Sequence, residues 1–547
     1  MTSNEASVPM CILERTPGVA RMHVHTSEKM LSDHELGDVK TSSTLFSADG
    51  RLLACVGAEN VTIYDTRSNA VVRTIACPGT IATHFSPNAT FLSTYQKANA
   101  SGAGDEKNLS VWRVATGEKV YACFQKSFQS AFWPYLQFSD DDAVACRAVT
   151  NEVHFFRTDD FETRATRLRV PQIALGKLSP GPNPAVATFV PEKKGIPGSV
   201  SVFPPPPADS QGVVEVTPSA RKAFFRVNEV DFQWAPDGSA VLVLGSCDVD
   251  VTNQSYYGET SLSFMRADGA LDCKVPLDKE GPVHEAAWSP TSKEFVVVYG
   301  FMPAKATVFD AAKCEPKYQL GAGPHNTVRW NPFGRFVLLA GFGNLPGDMK
   351  FFDRKADGKY KLVGATRAAC SVTAEWSPDG RRLLTATVAP RLNVDNGFKI
   401  WRYNGELLHH EPREKLYEAR WVPAPAGVHA DRPISPGSVR KETDADAPGA
   451  NGNGAPKKAA PYRPPHATSG SGNFSLAKAA PEDAGPGKYR PPGAVSVASA
   501  GAKQPSGPPG ASFVEPAGQS KSAAKNAKKR AAAKAKKEAE AAAAAQK

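Results

Sequence analysis

Nine times along the chain a large apolar residue leads into a turn of the Ser-Pro-Asp-Gly type. The lead residues are Phe46, Phe85, Phe138, Leu178, Trp234, Trp288, Trp330, Trp376 and Trp421. The clearest copies read Trp234-Ala-Pro-Asp-Gly and Trp376-Ser-Pro-Asp-Gly. Successive leads lie 39, 53, 40, 56, 54, 42, 46 and 45 residues apart. A unit of about 40–50 residues with one strand-turn-strand signal apiece is the signature of a β-propeller blade. A propeller works mainly by presenting loops to partners, so the search for function moves from catalysis to binding.

The unit at Trp376 shows the internal pattern. Proline presets the backbone at the turn Ser377-Pro378-Asp379-Gly380, and glycine supplies the positive φ that closes it. Residues 382–387 have strand composition, and residues 397–403 alternate bulky positions. Asn404-Gly405 is a strong hairpin signal, and residues 406–410 read as the outermost strand. Earlier units repeat this order, with strands expected at 52–55, 61–65, 109–113 and 153–156. The unit at Leu178 is the weakest, because the run Pro204 to Pro207 interrupts its edge.

The ninth unit is cut short, since the text after Trp421 offers no strands. The N-terminus has spare ones at 11–14 and 19–24. The expectation is that the first 40 or so residues complete the last blade, which hides the sheet edges an open array would expose. The alternative is eight blades and a stray Trp421.

Of the 547 residues, 41% are hydrophobic, enough for a large core. From Pro423 onward Pro, Gly, Ala and Ser dominate, a composition that cannot bury enough surface to offset the entropy of ordering. The expected organisation is a propeller over 1–422, a disordered linker over 423–520 and a basic Ala/Lys-rich helical tail over 521–547. Of 65 basic and 55 acidic residues, 19 and 9 lie after position 422, so residues 1–422 carry 46 of each. The excess positive charge therefore belongs to an appended arm. Nine cysteines without a CxxC pair suggest reduced thiols and a cytoplasmic protein. No secretory signal is visible, and no run approaches the ~20 apolar residues of a membrane helix.

Eight basic residues and no acid occupy the start of the tail: Lys521, Lys525, Lys528, Lys529, Arg530, Lys534, Lys536 and Lys537. Alanine and lysine favour helix, but cations crowd the N-terminal half against the helix dipole. A polyanion would neutralise that half, and RNA fits; a solvated tail for solubility or import is the plain alternative. The linker carries two copies of one tetrapeptide, Tyr462-Arg463-Pro464-Pro465 and Tyr489-Arg490-Pro491-Pro492. They are candidate linear motifs for an aromatic groove, or simply spacers.

Searches for chemistry return nothing. There is no phosphate-binding Gly-x-x-x-x-Gly-Lys-Ser/Thr loop, and Gly341 to Gly347 is a near miss for a dinucleotide fingerprint with no helix following. No Gly-x-Ser-x-Gly elbow occurs. His23/His25 and His409/His410 read as ordinary strand side chains rather than metal ligands. The expectation is a nonenzymatic protein with no cofactor.

Longer strings are specific enough to name a family. Asn151-Glu-Val-His-Phe-Phe156, Leu178-Ser-Pro-Gly-Pro182, Ser255-Tyr-Tyr-Gly-Glu259, Tyr299-Gly-Phe-Met-Pro-Ala-Lys-Ala-Thr307, Leu339-Ala-Gly-Phe-Gly-Asn-Leu345, residues 387–392 and residues 397–401 resemble the eukaryotic translation initiation factor 2A family. The resemblance covers roughly 40–422, with echoes in the Tyr-Arg-Pro-Pro strings and the basic tail. It implies an all-β, nine-bladed WD40-like β-propeller that is monomeric and associates with the small ribosomal subunit and other initiation factors. It also implies help in placing initiator methionyl-tRNA or in choosing start codons on mRNA, without GTP hydrolysis of its own. Longer family members continue into charged helices after the basic segment, so contacts made there are in doubt. The b subunit of initiation factor 3 has a similar propeller and supplies the rival reading, a scaffold for protein assembly. It ranks second because only about 40 residues precede the first turn, too few for that relative's RNA-recognition domain. Candidate contacts in the propeller loops are Tyr256 and Tyr257, which could stack on bases, Lys305 and Arg391, which could reach a phosphate, and the tight-turn Gly343. Packing within and between blades is the competing role for all five.

Overall fold

A computed structural model describes residues 10–433, apart from 18, 26–29, 36–40, 98–106, 162–165, 182–183, 194, 208–209, 211 and 248–258. The linker beyond Pro433, both Tyr-Arg-Pro-Pro motifs (Tyr462 to Pro465 and Tyr489 to Pro492), the basic tail with its expected helix, and Tyr256 and Tyr257 lie outside the described residues.

Among the described residues there are nine sheets, eight of four antiparallel strands and one of five with a parallel edge pair. Every lead residue closes the first strand of a sheet, from Phe46 in Ser43–Phe46 to Trp421 in Glu418–Trp421. We number the blades 1 to 9 by these leads. First strands of neighbouring blades pack side by side, which puts them nearest the ring axis.

The residue after the lead explains why the turn recurs. In blade 8 the Ser377 hydroxyl accepts the backbone N–H of Arg382 at 2.9 Å and donates to Asp379 at 2.6 Å. Ser47, Ser86 and Ser139 do the first of these for Leu52, Phe91 and Val144, and the Asn331 side chain does it for Phe336. One short polar side chain thus takes up an N–H that the turn leaves unpaired. Gly380 closes this turn at φ +65, and a Cβ there would lie 2.7 Å from Asn331 of the preceding blade.

The tryptophans do more than fill space. The indole N–H of each of the five lead tryptophans donates to the carbonyl of the residue just before the previous blade's lead. The pairs are Trp234 to Lys177 at 3.2 Å, Trp288 to Gln233 at 2.8 Å, Trp330 to Ala287 at 3.2 Å, Trp376 to Arg329 at 3.1 Å and Trp421 to Glu375 at 3.2 Å. Phenylalanine and leucine leads cannot do this. Between blades 3 and 4 the Gln137 side chain substitutes, donating to Gly176 O and accepting from Leu178 N, both at 2.8 Å. W288F keeps an aromatic ring but leaves the Gln233 carbonyl without its donor. We expect a loss of about 1 kcal/mol, read as a lower thermal midpoint with unchanged far-UV circular dichroism.

The core is divided rather than single. Nine apolar clusters are present, one at each blade–blade interface. Nine layers among nine interfaces leave no gap in the ring. Closure runs as the spare N-terminal strands suggest. The last sheet has the order Met30–Glu35, Val19–His25, Met10–Thr16, Glu418–Trp421, with Ile12 paired to Trp421. Ile12 packs toward blade 8 and Leu13 toward blade 1.

Glu14 and Glu294 are two of the carboxylates buried in this framework. Glu14 receives Arg413 through both carboxylate oxygens and lies 2.8 Å from His23 Nε2. Glu294, in blade 6, receives Lys317 at 2.5 Å, Arg354 at 2.7 and 3.1 Å, and the Tyr360 hydroxyl at 2.6 Å. Burial alone would raise both carboxyl pKa values, but the hydrogen bonds and cations outweigh it and lower each to about 2.

Blade 4 departs from the plain repeat. After its third strand, Gly198–Phe203, the prolines carry the chain across to blade 3. There Gly212–Val214 pairs in parallel with Thr166–Arg169 as a fifth strand, and Ala220–Phe224 then returns to complete blade 4. Proline cannot donate to a ladder, so the run ends the strand and becomes a crossing. The weak edge in the sequence is a bridge between blades.

Candidate interaction surface

Apart from the crossing in blade 4 and the two-ended blade 9, each blade is a meander, and the first strands run the same way around the ring, so the connections sort onto two faces. The lead-residue turns and the third-to-fourth hairpins share one face. The second-to-third loops and the crossings between blades share the other.

The turn face is largely committed to holding the ring together. Asp142 accepts the Ser86 hydroxyl at 2.6 Å and the backbone N–H groups of Asn88 and Thr90 at 3.2 Å, tying blade 2 to blade 3. Gly181 N donates to Asp140, and Asp237 N to the Ser292 hydroxyl, across the next interfaces. The chain beyond the last strand also lies on this face. Arg335 holds the Arg432 carbonyl at 3.0 Å, Arg381 holds the Pro433 carbonyl, and Arg432 pairs with Asp379 at 3.2 Å.

On the loop face, hydrogen bonds fix the loops of blades 6 to 8. In blade 6, Gly300 N donates to Pro282 O, Phe301 N to Glu280 O, and Lys279 Nζ to Pro303 O. In blade 7 the Asn326 side chain grips both backbone groups of Phe342, at 2.9 Å each. In blade 8 Asn396 donates to Leu392 O and accepts from Leu416 N. These bonds preorganise three adjacent loops, so a partner docking there would pay little ordering entropy.

The sequence candidates on this face fare differently. Gly343 has φ +73, and a Cβ on it would lie 2.7 Å from the Arg391 guanidinium. The structure therefore brings Gly343 and Arg391 together, with glycine needed for both backbone angle and space. Arg391 is exposed and has no ion pair or hydrogen bond among the described residues. Lys305 is not free in the same way. Its ammonium binds Asp278, which also accepts the Tyr299 hydroxyl at 2.6 Å. Lys305 and Tyr299 together hold the Asp278 carboxyl below its usual range, while burial and Asp278 push Tyr299 up to about 12. His325, buried beneath the same face, has its pKa lowered to about 4 by burial, with Lys350 adding to the effect. It is neutral at physiological pH.

Sequence reasoning missed the apolar character of this face. Phe301, Met302 and Val394 are exposed large apolar side chains in the loops of blades 6 and 8. The signal was present in Tyr299-Gly-Phe-Met-Pro, two bulky residues between glycine and proline where a loop is usually polar. Among the described residues no group of three or more His, Cys, Asp or Glu side chains is arranged to hold a metal ion. His23 contacts Glu14 and His409 contacts Glu411. No helix among the described residues is long and apolar enough to cross a membrane.

Comparison with known proteins gives this geometry its context. Residues 222–419 match the family described as eukaryotic translation initiation factor eIF2A. The chain is 38% identical over 452 residues to eukaryotic translation initiation factor 2A of Schizosaccharomyces pombe, covering 82% of this chain and 72% of that one. It is 34% identical over 402 residues to the Dictyostelium discoideum protein of that name, covering 73% of this chain but only 64% of the relative. A solved structure titled as a eukaryotic initiation factor shares 33% identity with a TM-score of 0.67, covering 77% of this chain and all of that one. A more distant similarity, 25% over 393 residues, runs to the B subunit of eukaryotic translation initiation factor 3 from Xenopus laevis, 70% of this chain and 54% of that one.

Proposed function

The chain belongs to the eukaryotic translation initiation factor 2A family, and from that premise we propose that it is a nonenzymatic, cytoplasmic factor that binds the small ribosomal subunit and assists initiator methionyl-tRNA placement or start-codon selection. The observation that carries this reading is the similarity to factor 2A sequences across most of the chain, propeller included. Role as a translation initiation factor comes with the family; docking on the ribosome and handling of tRNA are the finer steps proposed.

The architecture supports a division of labour. A closed ring with balanced charge offers shape-specific docking through its preorganised loop face. The appended basic arm, Lys521 to Lys537, adds attraction to RNA that does not depend on sequence. Arg391 and the apolar loop residues Phe301, Met302 and Val394 are the propeller contacts this reading favours, with Lys305 serving to hold its loop.

Co-sedimentation with purified small subunits tests the proposal. The full chain should pellet with subunits at low salt, and deleting 521–547 should weaken that association. If all eight cations meet phosphates on a single strand, removing them lowers the log–log salt slope by at most ~5–6. Failure of the full chain to co-sediment would count against docking on the small subunit. Unchanged binding after the deletion would remove the arm from the account. The distant likeness to the B subunit of factor 3 favours one other reading, a scaffold for protein assembly. It predicts recovery of protein partners that nuclease treatment leaves undiminished.

A further inference from the structure

Phe225 and Ile196 are the two most exposed large apolar side chains among the described residues, at 73% and 71%. They belong to one corner of blade 4 on the loop face. Gly198 pairs with Phe224, so continuing that antiparallel register sets Pro197 beside Phe225 and Ile196 beside Arg226. Lys193 and Ile196 exchange backbone hydrogen bonds at 3.1 and 3.0 Å, which closes the loop into a tight hairpin. Arg226 N donates to Glu192 Oε2 at 3.0 Å and ties the crossing between blades to that hairpin.

The same corner carries cations without side-chain partners among the described residues. Arg221 is exposed on the strand Ala220–Phe224 that leads into Phe225, while its neighbour Lys222 is spent on Asp272. Arg221, Arg226 and Lys193 are exposed, and none has a side-chain ion pair or hydrogen bond among the described residues. The carboxylates at hand are Glu192, which accepts Arg226 N, and Glu229, at the start of the next strand. Phe225 itself makes no ring contact with any described aromatic.

An exposed aromatic ring in a corner with unpaired cations is what single-stranded nucleic acid binds: the ring stacks a base and the cations meet phosphates of the same strand. We propose that this corner of blade 4 is a stacking site for single-stranded RNA, with Phe225 as the platform, Ile196 as its apolar edge, and Lys193, Arg221 and Arg226 as phosphate contacts. The inference rests on the reading of this protein as a factor that works on RNA. It adds a second RNA contact, on the folded ring rather than the arm.

The probe is a 12-nucleotide oligouridylate carrying 4-thiouridine, crosslinked to the full chain, with adducts mapped by mass spectrometry. Adducts between residues 193 and 226 are expected, beside those in the arm. F225A should weaken binding of the same oligonucleotide about tenfold, while F225W retains it. Replacing Lys193, Arg221 and Arg226 together with alanine should reduce the salt slope by about 2. A side chain this exposed leaves little to destabilise, and thermal midpoints of the variants should match the parent. Adducts confined to 521–547 with F225A unchanged would overturn the blade 4 site, leave the arm's RNA contact standing, and make the corner a protein-docking patch. No binding of the oligonucleotide by the full chain would sink the RNA reading as well.

Discussion

Removing residues 1–35 is expected to abolish the folded protein, giving an insoluble or proteolytically labile chain although the other eight blades are intact in sequence. The deletion takes away three strands of blade 9 and leaves Glu418–Trp421 alone. It opens two apolar layers together, since Met10 and Ile12 complete the one with blade 8, and Leu13, Ala20 and Met22 the one with blade 1. Four large buried side chains at about 2 kcal/mol each amount to roughly 8 kcal/mol, comparable to the whole stability of a typical domain. The loss also strips Arg413 of its buried carboxylate and bares the edge of Glu418–Trp421 for pairing with other chains. Limited proteolysis and size-exclusion chromatography of 36–547 read the outcome. Adding a peptide of residues 1–35 in trans should restore some protection, because the missing piece is a set of strands and not a separate domain. A monodisperse, protease-resistant 36–547 would show that the ring does not need its seam.

Glu294 should be the most sensitive single side chain of the ring interior. E294A leaves Arg354, Lys317 and the Tyr360 hydroxyl facing one another at the blade 6–7 interface without the carboxylate that organises them. Both cations are about one-third exposed, so water screens part of the repulsion, and the expected loss is about 3 kcal/mol. In a domain of this size that is a drop of several degrees in the thermal midpoint. Exchanging the cluster as a whole, E294M with K317M and R354M, should recover part of it, since apolar packing replaces desolvated charge. The same carboxylate, with Glu14, makes the ring acid-sensitive. Each has a folded pKa of about 2 against an ordinary value of 4.5. The unfolded chain therefore takes up protons first as pH falls. The stabilisation, a few kcal/mol for each, is complete above about pH 5 and is lost progressively toward pH 2. A midpoint that did not fall between pH 5 and pH 3, or E294A showing the same fall as the parent, would contradict this account.

Much of the fold was legible because it is written locally and repeatedly. Strands foreseen at 52–55, 61–65, 109–113, 153–156 and 382–387 lie within or match the observed Leu52–Val56, Asn60–Asp65, Leu109–Arg113, Glu152–Arg157 and Arg382–Thr387. Closure could be inferred from accounting alone, a lone first strand at one end and spare strands at the other. The reach of the proline run into blade 3 was not legible, since composition marks where a ladder stops but not where the chain goes next. The loop face shows the same limit. Arg391 and Lys305 look alike in sequence, but one lies free over Gly343 and the other is bound by Asp278, 27 residues away. Phe225 and Ile196 attracted no notice, because their exposure depends on a register between two strands.

The sequence by itself determined the blade repeat, the positions of the turns and the concentration of excess positive charge after position 422, while the ninth blade needed the pairing of Glu418–Trp421 with Met10–Thr16. Those properties follow from short-range rules: backbone angles at proline and glycine, two-residue alternation, and charge counted along the chain. Tertiary structure alone decided which cations stay unpaired among the described residues, which carboxylates are buried and which carbonyl each lead indole reaches. Each of those is an outcome of contact between residues far apart in the chain, from 23 positions between Glu294 and Lys317 to 399 between Glu14 and Arg413. Desolvation and hydrogen-bond geometry exist only once those surfaces have met.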